Sequence, residues 1–394
     1  MKKIIILSII LLPLLTGCYN YRELNNLSIV TAMSIEKNND LYKVTVQVVN
    51  PRKDTDTSKG NQPSFITYNK TSKSIQQALR EMIKDSPNKI YASHIQLIII
   101  DEDLAKDGIS PILDFLIRDP EFRDEFYVLI AQDKNILETI TPLDNLTSSN
   151  ITKSLKNLNK YLGLTSLITY NDLIDTYLDD KKELALPSIK LEGNINKGND
   201  KDELEKTDTE AKLVLSNMAI FKKDKLIGYL DEFESIAYNF IKDNITNTLI
   251  ESKYDDGFII HEIISSKTKV ELDPKKNKVN ITISGTSSIS EVYSKTNLTE
   301  YKNIKKIEKI MNDNIEKLVE KSYKNIIKKY NTDIFNFKDL YYKTNPKYYN
   351  EIKDIYDEDI LPNIKIEVKS TYTIREKGNL TGGIYKWIII IIIK

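Results

Sequence analysis

The chain has 394 residues, 57 basic and 57 acidic side chains, 2 His, 1 Cys and 12 Gly, and 40% of it is apolar. That length has room for two or three domains with real cores, and zero formal charge supplies no positive field for gathering phosphates, which excludes nucleic acid as an expected partner. One Cys forbids an internal disulfide, His94 and His261 cannot alone make a zinc site, and glycine at about 3% against about 7% in average usage leaves little for phosphate loops.

Lys2 and Lys3 precede an apolar stretch over residues 4–15, broken only by Ser8 and Pro13, and Thr16, Gly17 and Cys18 follow. This is the order of a secretory signal, and a dozen apolar residues fall short of the ~20 that a membrane-spanning helix needs. Leu15-Thr16-Gly17-Cys18 looks like a bacterial lipobox: cleavage between Gly17 and Cys18 would remove residues 1–17, and the Cys18 thiol would carry the lipid. The alternatives are an ordinary secretory signal or an uncleaved anchor. Two acyl chains hold a protein at a membrane where one only tethers it. Cleavage takes away two lysines and leaves 55 basic against 57 acidic groups, so attraction to anionic lipid plays no part.

Residues 27–36 and 41–49 are β-branched runs separated by Lys37-Asn38-Asn39-Asp40 and read as a hairpin or as neighbouring strands. Residues 51–63 are polar and read as a loop. Thr71 or Ser72 is the expected cap of a helix carrying Ile75, Ala78, Leu79, Met82 and Ile83, ending near Ser86-Pro87. A buried strand follows at 95–100, helical spacing returns at Ile112, Leu113, Leu116 and Ile117, and then come a strand at 126–131 and a short helix at 136–140. Alternating strands and helices predict a mixed sheet with helices packed on it. Two further amphipathic helices fit 151–162 and 172–178, and the polar stretch 193–210 reads as a linker.

The second half opens with strands at 213–221 and 226–230 and a helix from Asp231 to about Lys242. Strands are predicted at 258–264, 267–272, 279–284 and 364–374. Between the last two lies the longest helix, about 300–330, with Ile304, Ile307, Met311, Ile315, Leu318, Ser322 and Ile326 on one face. A helix lying across its own sheet explains it better than a coiled coil, because the heptad is not strict. The fold class is α+β: a mixed multi-subdomain α/β architecture with sheets flanked by helices and one long amphipathic helix in the C-terminal half. The expected division is a signal peptide at 1–17, an N-terminal domain at 18–198, a linker at 199–210, a C-terminal domain at 211–378 and an apolar tail at 379–394.

Chemistry is sparse. His261-Glu262 begins like HExxH, but position 265 is Ser, and no GxSxG surrounds any serine. Asp101, Glu102 and Asp103 follow a buried strand and read as helix caps. His94, entering the buried strand at 95–100, and His261, in an apolar strand, read as structural. No catalytic, cofactor or metal residues are assigned, which points away from an enzyme.

In order along the chain, Gly17-Cys18, Arg22-Glu23-Leu24, Lys43-Val44-Thr45-Val46-Gln47, Asn50-Pro51, Ser93-His94, Leu104-Ala105, Gly108, Leu113-Asp114-Phe115 and Arg118-Asp119-Pro120-Glu121-Phe122-Arg123 resemble the Ger(x)C family of spore germination lipoproteins. The likeness resumes from Ala219-Ile220-Phe221 to Leu230, at Asp333-Ile334-Phe335 and from Ile374-Arg375 to Gly378. The resemblance implies three mixed α/β subdomains and a lipoprotein, lipid-anchored through a diacylglyceryl Cys18 on the outer face of the spore inner membrane. It further implies work with A-type and B-type integral membrane subunits of a nutrient germinant receptor, with no catalytic activity and no cofactor. A free-standing substrate-binding lipoprotein of a transporter is the alternative. His94 and the Arg118 to Arg123 stretch match family positions and read as fold-supporting, the latter as a local ion-pair network with Asp119 and Glu121. Tyr19-Asn20 stands where many relatives have Trp-Asp. The tail after Gly382-Gly383, with six consecutive isoleucines, is either an interfacial segment entering through Trp387 or, the favoured reading, the product of a frameshift or altered stop codon.

Overall fold

The computed structural model describes residues 26–50, 65–140, 147–194, 197, 210–255 and 257–376. The predicted 51–63 loop, Gly17 and Cys18, most of the polar stretch before residue 210 and the apolar tail lie outside them. Strands β1 (Leu27–Asn38) and β2 (Leu41–Val49) form a hairpin, turning at Asn39 with φ 54°. An unpredicted strand, β3 (Phe65–Ser72), extends it as the sheet edge. Thr71 and Ser72 therefore pair with Lys43 and Tyr42 and do not cap the next helix. Ser74 caps it, accepting the Gln77 N–H at 3.2 Å at the start of α1 (Ile75–Glu81).

The short β4 (Lys89–Tyr91) runs parallel to the start of β1, and β5 (Leu97–Asp101) runs parallel to its second half. β6 (Tyr127–Ala131) and β7 (Ala185–Gly193) continue the parallel run. Successive side chains of a strand point to opposite faces, so β5 feeds two cores. Ile98 and Ile100 pack with α1, α2 (Glu102–Asp107), α3 (Ser110–Arg118) and α6 (Tyr170–Leu178). Leu97 and Ile99 pack with α4 (Ile136–Ile140) and α5 (Thr147–Leu162). Pro187, which masks β7 in the sequence, sits where the register shifts between Leu186 and Ser188, a bulge that needs no N–H from it.

β8 (Ala211–Lys222) is antiparallel to β7, with Ala211 opposite Gly193, and β9 (Lys225–Tyr229) forms the far edge. The polar stretch containing 199–210 thus spans the ends of two paired strands, and the nine-stranded sheet continues beyond it. α7 (Glu232–Ile241) follows, closed by a capping box between Asp231 and Glu234.

A second sheet has the order β10 (Thr248–Tyr254), β11 (Gly257–Asp273), β12 (Lys278–Tyr293), β13 (Lys365–Glu376). Residues 258–272, predicted as two strands, run as one, because a register shift between Ile263 and Ser265 absorbs the break in alternation. The long helix, α8 (Tyr301–Tyr330), lies across this sheet against β10 and β13 and packs on α7. Val319, not Leu318, is fully buried on its inner stripe. α9 (Phe337–Thr344) and α10 (Pro346–Ile352), both unpredicted, pack aromatic side chains such as Phe337, Tyr341 and Tyr349 into the same core.

One contact set explains how α8 and β13 stay in register. Glu308, Asn312 and Glu316 accept the backbone N–H groups of Ile374, Tyr372 and Ser370 at 2.9, 2.7 and 2.8 Å. Asn312 also donates to the Tyr372 carbonyl at 3.1 Å. Four helix residues rise about 6 Å and two strand residues about 6.6 Å, so the i, i+4, i+8 ladder matches alternate N–H groups along the sheet edge. The middle of an edge that would template pairing with another chain is thereby partly occupied from within.

Two titratable groups sit inside this half. His261, on β11, is 0% exposed, neither ring nitrogen has a hydrogen-bond partner, and burial pushes its pKa down to about 4. Asp333, between α8 and α9, accepts the Lys338 N–H at 2.6 Å and the Tyr356 hydroxyl at 3.0 Å on Oδ2, while Oδ1 has no partner. Burial pushes its pKa up to about 6.

Asn312→Leu is expected to leave the Tyr372 N–H and C=O unpaired and to cost roughly 1–3 kcal/mol for each group in urea unfolding. Asn312→Asp, which keeps the acceptor, is expected to cost less; equal midpoints for wild type and Asn312→Leu would refute the ladder. The pH dependence follows from the two buried groups with opposite sign. His261 contributes stability that is present above about pH 6.5 and lost as pH falls through 4, whereas the stability from Asp333 is complete below 3.8 and lost as pH rises through 6. His261→Leu is therefore expected to gain most on wild type at acid pH, and Asp333→Asn to gain up to about 3 kcal/mol at pH 8 and little at pH 4. Unfolding midpoints across that range check both; parallel pH profiles for the three proteins would contradict the assignment.

Candidate functional site

The residues singled out by sequence scatter. His94 is exposed, in a turn ahead of β5, with its ring edge 6.3 Å from Tyr91, and so does not enter the buried strand as its neighbours suggested. Asp101 is the N-cap of α2 by position but makes no side-chain cap bond, because its carboxylate turns to the Lys37 N–H at 3.4 Å. Glu102 accepts the Tyr229 hydroxyl at 3.0 Å, and Asp103 pairs with Lys134 at 2.9 Å. Near Asp101, at the carboxyl ends of the parallel strands, Glu36 accepts the Asn135 N–H at 3.0 Å, and Lys43 bonds Glu138 at 2.6 Å. Burial holds both the Glu36 and Asp101 carboxyls above the usual carboxylate range. The position is where open α/β sheets bind ligands, yet in this chain α4 and Lys43 fill it. No group of three or more His, Cys, Asp or Glu able to hold a metal occurs among the described residues.

The open concavity lies elsewhere. A cleft of about 650 Å³ separates α1 from α3, within the size range of ligand sites. The exposed face of α1 contributes Gln76 and Arg80, one turn apart, with Lys73 just ahead of its cap. α3 contributes Pro111, Asp114, Phe115 and Arg118, and the Asp119-Pro120-Glu121 turn closes one end. Tyr42, Ile75 and Phe115 make an apolar floor continuous with the core beneath.

The ion pairs around the cleft differ from the network expected for Arg118 to Arg123. Arg118 binds Asp114 on its own helix, Nε lying 2.9 Å from both carboxylate oxygens, and that bond holds the Asp114 carboxyl below its usual range. Glu121 pairs with Lys89 of β4, and Asp119 accepts the Glu121 N–H at 2.9 Å. The cleft draws on segments around residues 42, 73–80 and 111–121, which the sheet brings together; Tyr42, Lys73 and Arg80 carry no local signature of that. Only Asp114, Phe115 and the Arg118 to Glu121 stretch stand out in the sequence, through the resemblance.

Comparison with known proteins agrees with this architecture. Residues 20–191 match the family described as spore germination protein N-terminal domain, and residues 216–378 match spore germination B3/GerAC like, C-terminal. The chain is 28% identical over 389 residues to spore germination protein KC of Bacillus subtilis, covering 95% of each chain. It is 23% identical to spore germination protein B3 of the same organism over 87% of this chain and 90% of that one. The crystal structure of the GerBC protein superposes with a TM-score of 0.51 at 19% identity, covering 87% of this chain and 96% of the other, a likeness of fold. No helix among the described residues is long and apolar enough to cross a membrane. With both domain families matched in tandem, the chain belongs to the Ger(x)C family of spore germination proteins.

Proposed function

We propose that the protein is a non-catalytic, lipid-anchored subunit of a nutrient germinant receptor, held on the outer face of the spore inner membrane through Cys18. There it works with an A-type and a B-type integral membrane subunit. The tandem match over 20–191 and 216–378 carries this reading, because it begins just after the lipobox cysteine and leaves little chain between anchor and folded domain. A double-acylated cysteine would give the retention that a mature chain with slightly more acidic than basic groups cannot obtain from anionic lipid. The carboxylates that follow the parallel strands and line the cleft, Glu36, Asp101, Glu102, Asp103 and Asp114, are each engaged by a hydrogen bond or ion pair within the fold. That inventory suits coupling between subunits better than turnover, and the full-length family match favours it over a transporter's binding protein.

Cys18→Ala is expected to move the protein from the membrane to the soluble fraction of spore lysates, to abolish labelling by a clickable palmitate analogue, and to slow nutrient-triggered germination. Residue 18 precedes the described fold, so unfolding midpoints should not change. Full membrane retention with labelling intact would sink the lipid anchor.

A further inference from the structure

The cleft between α1 and α3 pairs an apolar floor with charges that are not balanced. Each of its carboxylates is engaged: Asp114 by Arg118, Glu121 by Lys89 and Asp119 by a backbone N–H. Arg80 and Lys73 line the same cleft, and neither side chain has an ion pair or hydrogen bond among the described residues. Arg80 lies over the end of α1 nearest the closing turn and also lines a shallower extension of the cleft toward Lys89, Ile90 and Phe122. Two free cations beside an apolar floor match a carboxylate carried next to an apolar group, and a guanidinium binds a carboxylate through two parallel hydrogen bonds.

The position of the cleft narrows the choice of occupant. β1 enters the fold by pairing Leu27 with Lys89, the residue that holds Glu121 at the cleft's end. At most about 30 Å of extended chain lies between Cys18 and Asn26. If the chain is anchored at Cys18, that tether keeps the end of the cleft at Glu121 within reach of the bilayer and of proteins embedded in it. A flat lipid surface cannot fill a concave site of about 650 Å³, and the mixed charges around it give lipid headgroups no field. We propose that the cleft is a docking groove for an extended segment of an integral membrane partner, whose carboxylate is held by Arg80 and Lys73 and whose adjoining apolar side chain rests on Tyr42, Ile75 and Phe115. The partner's membrane location rests on the lipid-anchor reading; the ligand chemistry rests on the cleft alone.

The test uses the full-length chain in spores that contain both integral subunits. The photocrosslinker p-benzoylphenylalanine replaces Gln76, an exposed residue on the α1 wall that no contact in the core depends on. Irradiation is expected to join the chain to one of the integral subunits. Arg80→Glu in the same background should lower the adduct yield about tenfold, the loss expected for one charge-assisted contact, while Arg80→Lys, which keeps the charge and loses the two-bond fork, should fall between Arg80→Glu and wild type. Arg80 is exposed, so an unchanged unfolding midpoint shows that the variant folds. Adducts with lipid alone, adducts within the chain itself, no adduct, or a yield unchanged by Arg80→Glu would each overturn the groove. Palmitate labelling separates the two readings. A labelled, membrane-retained chain without an adduct refutes the groove and leaves the anchor standing, whereas an unlabelled chain refutes the anchor.

Discussion

Strand β8 holds the molecule together, and it does so through the simplest property of a strand. Because side chains alternate, Ala219 and Phe221 lie in the core beneath α1 and α3, while Met218 and Ile220 lie in the core shared with α7, α8 and the second sheet. One strand is thus the outer part of one half and the floor of the other. Hydrogen bonds reinforce the joint: Lys222 Nζ donates to the Asn331 carbonyl at 3.1 Å, Thr332 to the Phe221 carbonyl at 3.1 Å, and Tyr330 to the Tyr229 carbonyl at 2.7 Å. A Cβ at Gly228 would collide with the Tyr330 ring, which explains a glycine in a strand where it otherwise costs stability. The two family domains meet in sequence between residues 191 and 216, but in space they share a sheet and a core.

The elements legible in the sequence are those whose burial is one-sided or complete. The β1–β2 hairpin, β8, β9, α7 with its capping box and the apolar stripe of α8 all follow the periodicities that burial imposes. What escapes is structure stabilised by something other than its own apolar pattern. β3 is an edge strand whose sequence, FITYNKTS, has little to bury. β7 carries a proline that only a bulge accommodates, and α9 and α10 enter the core through tyrosines that a Tyr-rich, Lys-rich composition makes inconspicuous. The cleft escapes for a different reason. Its walls are local, but the relation between Arg80 and Asp114 exists only after α1 and α3 dock on the same face of the sheet.

The polar ladder between α8 and β13 shows the same limit. Glu308 and Asn312 stand on a helix face that hydrophobic spacing would give to solvent or to aliphatic contacts, and Glu308 is nearly buried. Their placement makes sense only beside the unpaired N–H groups of a sheet edge, since a buried carboxylate is tolerated where several donors reach it. His261 and Asp333 lack that full compensation. Their free atoms mark positions where the second core gives up stability, and their opposite responses to protonation leave no pH at which both contributions are complete, since that of His261 is full only above about 6.5 and that of Asp333 only below 3.8.

The geometry also fixes how the cleft is joined to the rest of the chain. α3, its outer wall, begins beside the β8–β9 turn: the Ile109 N–H donates to the Asp224 carbonyl at 2.9 Å, and the Ser110 hydroxyl bonds the Asp224 carboxylate. From that turn β9 runs to Tyr229, whose carbonyl receives the Tyr330 hydroxyl at the end of α8. A shift of α3 therefore has a continuous route of hydrogen bonds and strand to the helix that organises the second sheet. Such a route transmits a signal only if some element along it has two arrangements of similar free energy. β8 is ill suited to that role, being packed on both faces, and α8 is tied to β13 by the ladder from Glu308 to Glu316. The turn at Asp224 is itself tied from two sides, to Ile109 and Ser110 of α3 and through the Lys223 N–H to the Glu183 carboxylate, so the start of α3 is the point at which the cleft is joined to the second half of the chain.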